Sequence, residues 1–426
     1  MDPNIVETPA PPGPAGMLVV TVDRLPAWML ASYGATWVST PAIDALAARG
    51  VAFDRVIVPA TSPLAGSPPL SGTYASLFAA DESLPLLAAA AARDWRPCVV
   101  TDDPRVPGPL LPGMSDAVEV RLESPAPAGD VAADDRGTAI ARLVDAAVER
   151  IKEGGSRFVW CHVGSLGMTW DAPDAHRQRY IDPDDPEPPR GAAVAALVVD
   201  ASTDPDLVVG ARQVYAGQLT LLDGQLERLF AAVRDRERED GGGWAVLLVG
   251  VRGLSLGLHG LVGVGEDELP YGELVHVPAI LVDPAGRMAA QRHGMLVTPA
   301  DLGCTLSELI GAPAGKPAGT AEPWRGESLL GLFRDWSARV RDRVIVVGPT
   351  AAAVVTPQWH CMAIAAAGGE PRRVRLYAKP DDFFEQVDVA DRCADAAATL
   401  GALAIRAHAG DATGAWTDPL PGERPG

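Results

Sequence analysis

Short apolar runs alternate with longer amphipathic ones along most of this chain, and that order constrains the fold more than any other feature. MLVVTVD (17–23) is a buried-strand pattern that ends in an acid. TPAIDALAARG (40–50) then spaces its apolar residues by three and four and closes on glycine, as a helix does. VAFDRVIV, RPCVVTDD, RFVWCHVG and GGGWAVLLVGVRG repeat the strand pattern; TAIARLVDAAVERIKEG and VYAGQLTLLDGQLERLFAAVRDR repeat the helical one. HVPAILVDP and the helix-like PADLGCTLSELIGA follow. Strands with so little polar alternation need cover on both faces. The order therefore predicts an α/β fold, a large mostly parallel sheet sandwiched by helices.

The 426 residues exceed a single average domain of about 150. Beyond the linker-like APAGKPAGTAEPWRGE (312–327), the runs RDRVIVVG, AAAVVTPQWHCMAIA and RRVRLYA alternate as short strands. They predict a small antiparallel sheet, with the helix-prone 389–407 packed on it. The expected division is a flexible leader (1–16), an α/β core (17–335), a small C-terminal α/β subdomain (336–408) and a tail (409–426). The stretch 171–190, rich in proline and acid, reads as an exposed loop.

Charge narrows the function classes. With 36 basic and 55 acidic residues the formal net charge is −19, which repels phosphate backbones and anionic lipid. Nucleic acid and membrane partners are therefore not expected. The N-terminus lacks the basic start and apolar run of a signal peptide, and no apolar stretch is long enough to span a bilayer. The five cysteines form no CxxC pair, which predicts free, mostly buried thiols in a reducing compartment. A cytoplasmic, acidic protein without a cofactor is the expectation.

In order, several phrases resemble the sulfatase family of the alkaline phosphatase superfamily. VVTVDRLPAWMLASYG followed by TPAIDALAARGVAFDRVIVPATSP is similar to that family's N-terminal signature. SPLAGSPPLSGTY resembles the nucleophile region, and YAGQLTLLDGQLERLF the helix before the second metal strand. HVPAILVDPAG, LVTPADLGCTLSELIGAP, GESLLGLF, AVVTPQW and LYAKPDD resemble later segments, so the likeness spans about residues 17 to 400. It implies the alkaline phosphatase fold with a small C-terminal α/β subdomain, and hydrolysis of sulfuric or phosphoric esters if the site is intact.

The residues that would carry that chemistry depart from the pattern. The family holds a divalent cation with two acids on the first strand and an Asp plus Asn or His on the second; here those pairs read Asp23–Arg24 and Val251–Arg252. A hard cation wants several oxygen ligands, and arginine stays charged, so no metal is expected. The nucleophile position falls on Ser62, with Thr61 as the alternative, and the arginine due four residues later is Gly66. A serine at its free pKa needs an activator. Of the other expected polar positions only His259 keeps its place; a lysine due after AVVTPQW is His360.

The vestigial pocket is thus Asp23, Arg24, Ser62, Val251, Arg252 and His259. Asp23 reads either as a residual ligand or as a strand-end acid paired with Arg24 or Arg252. The two arginines replace the lost cation, form a small site for an anion such as sulfate or phosphate, or are surface residues at loop mouths. Ser62 reads as a helix cap or a nucleophile, and His259 as a satisfied loop histidine or an acid–base group. His162 reads as structural, and Asp44, Asp102 and Asp103 as caps or solvated charges; Asp182 to Glu187 reads as a solvated acidic run. These readings predict a sulfatase-like pseudoenzyme with a binding or scaffold role. The alternatives are a divergent metal-independent ester hydrolase using Ser62, and an anion-binding regulator.

Overall fold

The computed structural model describes residues 13–61, 77–78, 85–104, 106, 118–123, 129–265, 269–312, 326–333, 341–365 and 372–411. Most of the leader, the 313–325 linker, the end of the tail and the segment carrying Ser62 and Gly66 lie outside them.

Eight strands form the main sheet, in the order β11-β2-β10-β7-β1-β5-β3-β4. Their spans are β1 (Gly16–Asp23), β2 (Val51–Ile57), β3 (Pro97–Thr101), β4 (Val118–Arg121), β5 (Phe158–Val163), β7 (Trp244–Arg252), β10 (His276–Val282) and β11 (Gln291–Val297). The strand β6 (Ala196–Val198) instead joins β8 (Ser255–Leu256) and β9 (Leu261–Gly263) in a three-stranded patch. β1 pairs in parallel with both β5 and β7, which makes it the centre of the sheet. β10 is the exception: it runs antiparallel to both β7 and β2. The sheet is therefore mixed and mostly parallel.

The apolar runs explain the two layers. Met17 and Val19 of β1 enter one core with Phe53, Leu247 and Val249, while Leu18, Val20 and Val22 enter the other. That second core takes one side of the long helix Pro205–Asp240 and of the helix Ala139–Glu153. Among the described residues no helix is long and apolar enough to cross a membrane. All five cysteines are free, and burial pushes the Cys98 thiol up to about 11 and the Cys361 thiol to about 12.

A four-stranded antiparallel sheet follows: β12 (Val344–Val347), β13 (Ala351–Val355), β14 (Trp359–Ile364) and β15 (Arg373–Ala378). The AAAVVTPQWHCMAIA run folds back on itself at Thr356–Gln358 and supplies two of these strands. The helix Ala394–His408 covers one face through Leu400, Leu403, Ala404 and Ala407.

The acid-rich stretch 171–190 is less exposed than its composition suggests. Asp171 is buried and its Oδ2 accepts the Ala139 N–H at 2.7 Å, capping a helix. Arg177 is 3% exposed and donates to the carbonyls of Ala172, Trp170, Pro189 and Gly191, folding the segment around itself. A planar group with five N–H donors, four of them used here, makes arginine suited to that task.

Candidate active site at the ends of the central strands

The C-terminal ends of neighbouring parallel strands bring sequence-distant residues together. Asp23 ends β1 and Arg252 ends β7, and they stand opposite each other because the register shifts by one residue between Val22 and Asp23. Arg252 Nε donates to Asp23 Oδ1 at 2.8 Å and Nη2 to Oδ2 at 3.1 Å. Both carboxylate oxygens are engaged by one planar guanidinium, the bidentate geometry that arginine favours. The pair is buried, with Asp23 1% and Arg252 7% exposed.

Arg24 takes a left-handed backbone, with φ of +64°. For a residue with a Cβ that conformation costs about 1–2 kcal/mol. It is held by the chain around it: the Tyr215 hydroxyl donates to the Arg24 carbonyl at 2.5 Å, and the Leu25 N–H donates to the Arg252 carbonyl at 2.9 Å. The Arg24 side chain is 1% exposed, so the reading of these arginines as surface residues at loop mouths is wrong. The turn after β1 carries them inward. Val251 alternates to the other face of β7 and packs in the hydrophobic core.

A short turn, Ser165–Gly167, sits over these ends. A Cβ at Gly167 would lie 3.1 Å from Arg24 Cγ and 3.6 Å from Asp23 Oδ2; one at Gly164 would lie 2.7 Å from Asp103 Cβ and 3.2 Å from Asp102 Oδ1. The acids following β3 therefore converge on the same turn as Asp23. Asp102 and Asp103 are each 1% exposed, which corrects their reading as solvated charges. Asp102 Oδ1 accepts the Gly164 N–H at 2.7 Å. Burial nevertheless raises the Asp102 carboxyl above its ordinary pKa, with that N–H and His162 pulling the other way.

Sequence reasoning also missed the partner of these acids. Trp160 Nε1 donates to Thr21 Oγ1 at 2.8 Å, and Thr21 Oγ1 lies 2.8 Å from His162 Nδ1. All three groups are satisfied when the threonine hydrogen points to Nδ1 and the ring hydrogen sits on Nε2. That Nε2 is 3.6 Å from Asp103 Oδ2. The signal was a lone Thr and a lone His inside otherwise apolar strand runs.

The remaining candidates go elsewhere. His259 stacks on Tyr271 with ring centroids 3.6 Å apart; its Nδ1 lies 3.1 Å from Glu273 Oε1 and its Nε2 3.3 Å from the Glu385 carbonyl. Those contacts face the small sheet. Thr61 is buried and its N–H donates to the Val347 carbonyl at 3.3 Å; Ser62 lies outside the described residues. Asp182 to Glu187 is mostly exposed, as a solvated run would be, with Asp185 accepting from the Asp182 N–H and from Gln213. Among the described residues no group of three or more His, Cys, Asp or Glu could hold a metal ion.

A divalent cation of the kind the sulfatase resemblance implies does not fit this donor set. Both oxygens of Asp23 are taken, Val251 offers no donor, and Arg252 brings a permanent positive charge.

The fold matches that of solved sulfatases and phosphonate monoester hydrolases. The phosphonate monoester hydrolase of Agrobacterium radiobacter superposes with a TM-score of 0.66 at 17% identity, over 91% of this chain and 94% of that one. A protein solved in complex with its substrate D-glucosamine-2-N,6-O-disulfate gives 0.69 at 13% identity, over 97% of this chain and 100% of that one. A 2-O GAG sulfatase gives 0.67 at 14% identity, over 97% and 95%. No family model and no curated protein matches the chain by sequence.

Proposed function

We propose that this sulfatase-fold protein has lost metal-dependent ester hydrolysis and acts by binding or as a scaffold. One observation carries the reading: the Asp23 carboxylate, where the resemblance expects a metal ligand, is occupied on both oxygens by Arg252. In the fold's enzymes a bound cation would activate the nucleophile and neutralise the ester's charge. Here Asp23 instead finds its counter-charge in Arg252. The alternative hydrolase, with Ser62 as nucleophile and His259 as acid or base, draws no support from His259. Its ring is stacked on Tyr271 and bonded toward Glu273 and Glu385. An anion site at Arg252 would have to displace a buried carboxylate already bound to it. Fold alone does not carry activity; the site does.

The test is hydrolysis of 4-nitrophenyl sulfate, 4-nitrophenyl phosphate and a phenyl phosphonate monoester, each with calcium, magnesium or manganese. The expected result is no turnover above the uncatalysed rate with any of them. Saturable turnover that disappears in Ser62→Ala would overturn the proposal.

A further inference from the structure

A separate cavity of about 360 Å³ opens where the small sheet meets the β2–β11 edge of the large one. His259 and His360 line it, but Asp23, Arg24, Thr61, Asp102, Asp103 and Arg252 do not, so it is separate from the strand-end cluster. Its volume falls within the range of about 300–1,000 Å³ typical of small-molecule sites.

The acids of its wall are already committed. Asp54 pairs with Arg292. Glu273 accepts the Leu256 N–H at 3.2 Å and lies 3.1 Å from His259. Glu385 accepts the Gly272 N–H at 2.7 Å and lies 2.7 Å from His360 Nδ1 and 2.9 Å from Lys379 Nζ. His276 adds no charge near neutral pH, because burial drives it down to about 4 against the bond its Nε2–H gives the Asp54 carbonyl.

Two groups are left with capacity. Arg55 donates through Nη1 to the Pro357 carbonyl at 3.1 Å, and among the described residues no carboxylate lies within ion-pair distance of it. His360 is 2% exposed, its Nδ1 is fixed against Glu385, and its Nε2 has no hydrogen-bond partner. A buried ring nitrogen left that way costs free energy unless something meets it. Pro357 lies three residues before His360 in the β13–β14 hairpin, so the hairpin that carries His360 also holds the Arg55 guanidinium of β2. The same lining carries rings: Trp28 meets Phe384 edge-on at 5.8 Å between centroids, and Phe384 meets Phe383 at 5.0 Å. Phe383 and Phe384 are 40% and 42% exposed, forming an apolar mouth.

We propose that this cavity binds a small aromatic carboxylate, with its anionic end on the Arg55 guanidinium and its ring against Trp28 and Phe384. The charge answers Arg55, and the flat apolar body fits edge-to-face ring packing. This holds whether or not the chain hydrolyses esters.

The test is isothermal titration of the full chain with phenylacetate, its neutral analogue phenylacetamide, and inorganic phosphate. Phenylacetate should bind saturably at one site in the millimolar range or tighter, and phenylacetamide at least about tenfold more weakly. Arg55→Gln should lose about tenfold in phenylacetate affinity without moving the thermal midpoint, and Phe384→Ala, at the exposed mouth, several-fold. If Arg55→Gln fails to fold, Phe384→Ala decides. The idea is overturned by absent phenylacetate binding, equal binding of acid and amide, unchanged affinity in the folded variants, or tighter binding of phosphate.

Discussion

Asp23→Asn should rank among the most damaging substitutions outside the apolar core. Asp23 and Arg252 are 1% and 7% exposed and joined by two hydrogen bonds of 2.8 and 3.1 Å. At an effective dielectric near 20, charges this close attract by about 4–5 kcal/mol. Removing the acid leaves the guanidinium buried without that carboxylate, and breaking a buried pair from one side costs about 3–5 kcal/mol. Replacing both, as Asp23→Leu with Arg252→Met, removes the stranded charge, and its cost should fall to about 1 kcal/mol or less. Urea unfolding of the wild type, Asp23→Leu, Arg252→Met and the double measures the coupling, expected to reach about 5 kcal/mol if each single costs about 3. Single variants that each stay within about 1 kcal/mol of wild type would place the pair among solvent-screened surface bridges. The claim that Asp23 is sequestered from metal would then fail.

Millimolar calcium should leave the thermal midpoint of the wild type unchanged, since a ligand of the folded state would raise it; a concentration-dependent rise would undo the donor-set argument. Glu385 is held down to about 2 from an ordinary 4.5, because His360, Lys379 and the Gly272 N–H together outweigh the opposing effect of burial. Its ionised form therefore stabilises the fold fully above pH 4.5, and that stability is lost as pH falls toward 2. Glu385→Gln should cost about 3 kcal/mol at neutral pH, and the gap to wild type should close on acidification; a gap independent of pH refutes the assignment. Gly263→Ala would put a Cβ 1.5 Å from the Ala195 carbonyl oxygen at a φ of +89°, so a loss of about 3 kcal/mol or more is expected. Gly286→Ala, also at positive φ (+68°) but with no atom within 4 Å, should cost only about 1–2 kcal/mol, and similar losses in both would refute the steric argument.

What could be read in the sequence follows burial. β1, β5 and β7 are buried along their whole length, so their apolar runs announced them without ambiguity. β11 is an edge strand with mixed burial, QRHGMLV, and β4 is only four residues long; neither carries a period strong enough to stand out. The reversed direction of β10 is set by the β8–β9 excursion before it, which local apolarity does not record. At the site, Asp23 and Arg252 are 229 residues apart, and only the resemblance put their strand ends side by side. Asp102 and Asp103 read as caps or solvated charges because strand-end acids usually are, and Asp102 does accept the Gly164 N–H. Their burial depends on the Ser165–Gly167 turn closing over them, a tertiary event with no local signature.

Clustered acids at the ends of parallel strands repel one another unless a counter-charge is present. A bound cation supplies that charge only at metal concentrations that keep the site filled, and so links folding to metal. In this chain Arg252 supplies it to Asp23 from the neighbouring strand, while Asp102 meets burial through a raised pKa and the Gly164 N–H. Such a pairing neutralises Asp23 without an ion. Exchanging Val251 for an acid would add a carboxylate on the core face of β7, away from Asp23, while Arg252 kept its charge in the place a metal would need. Building a cation site here would therefore require removing the guanidinium first, and Asp23 would then be buried without it until a metal arrived. That intermediate carries the full cost of a broken buried pair, which gives the present pairing a physical reason to persist once formed.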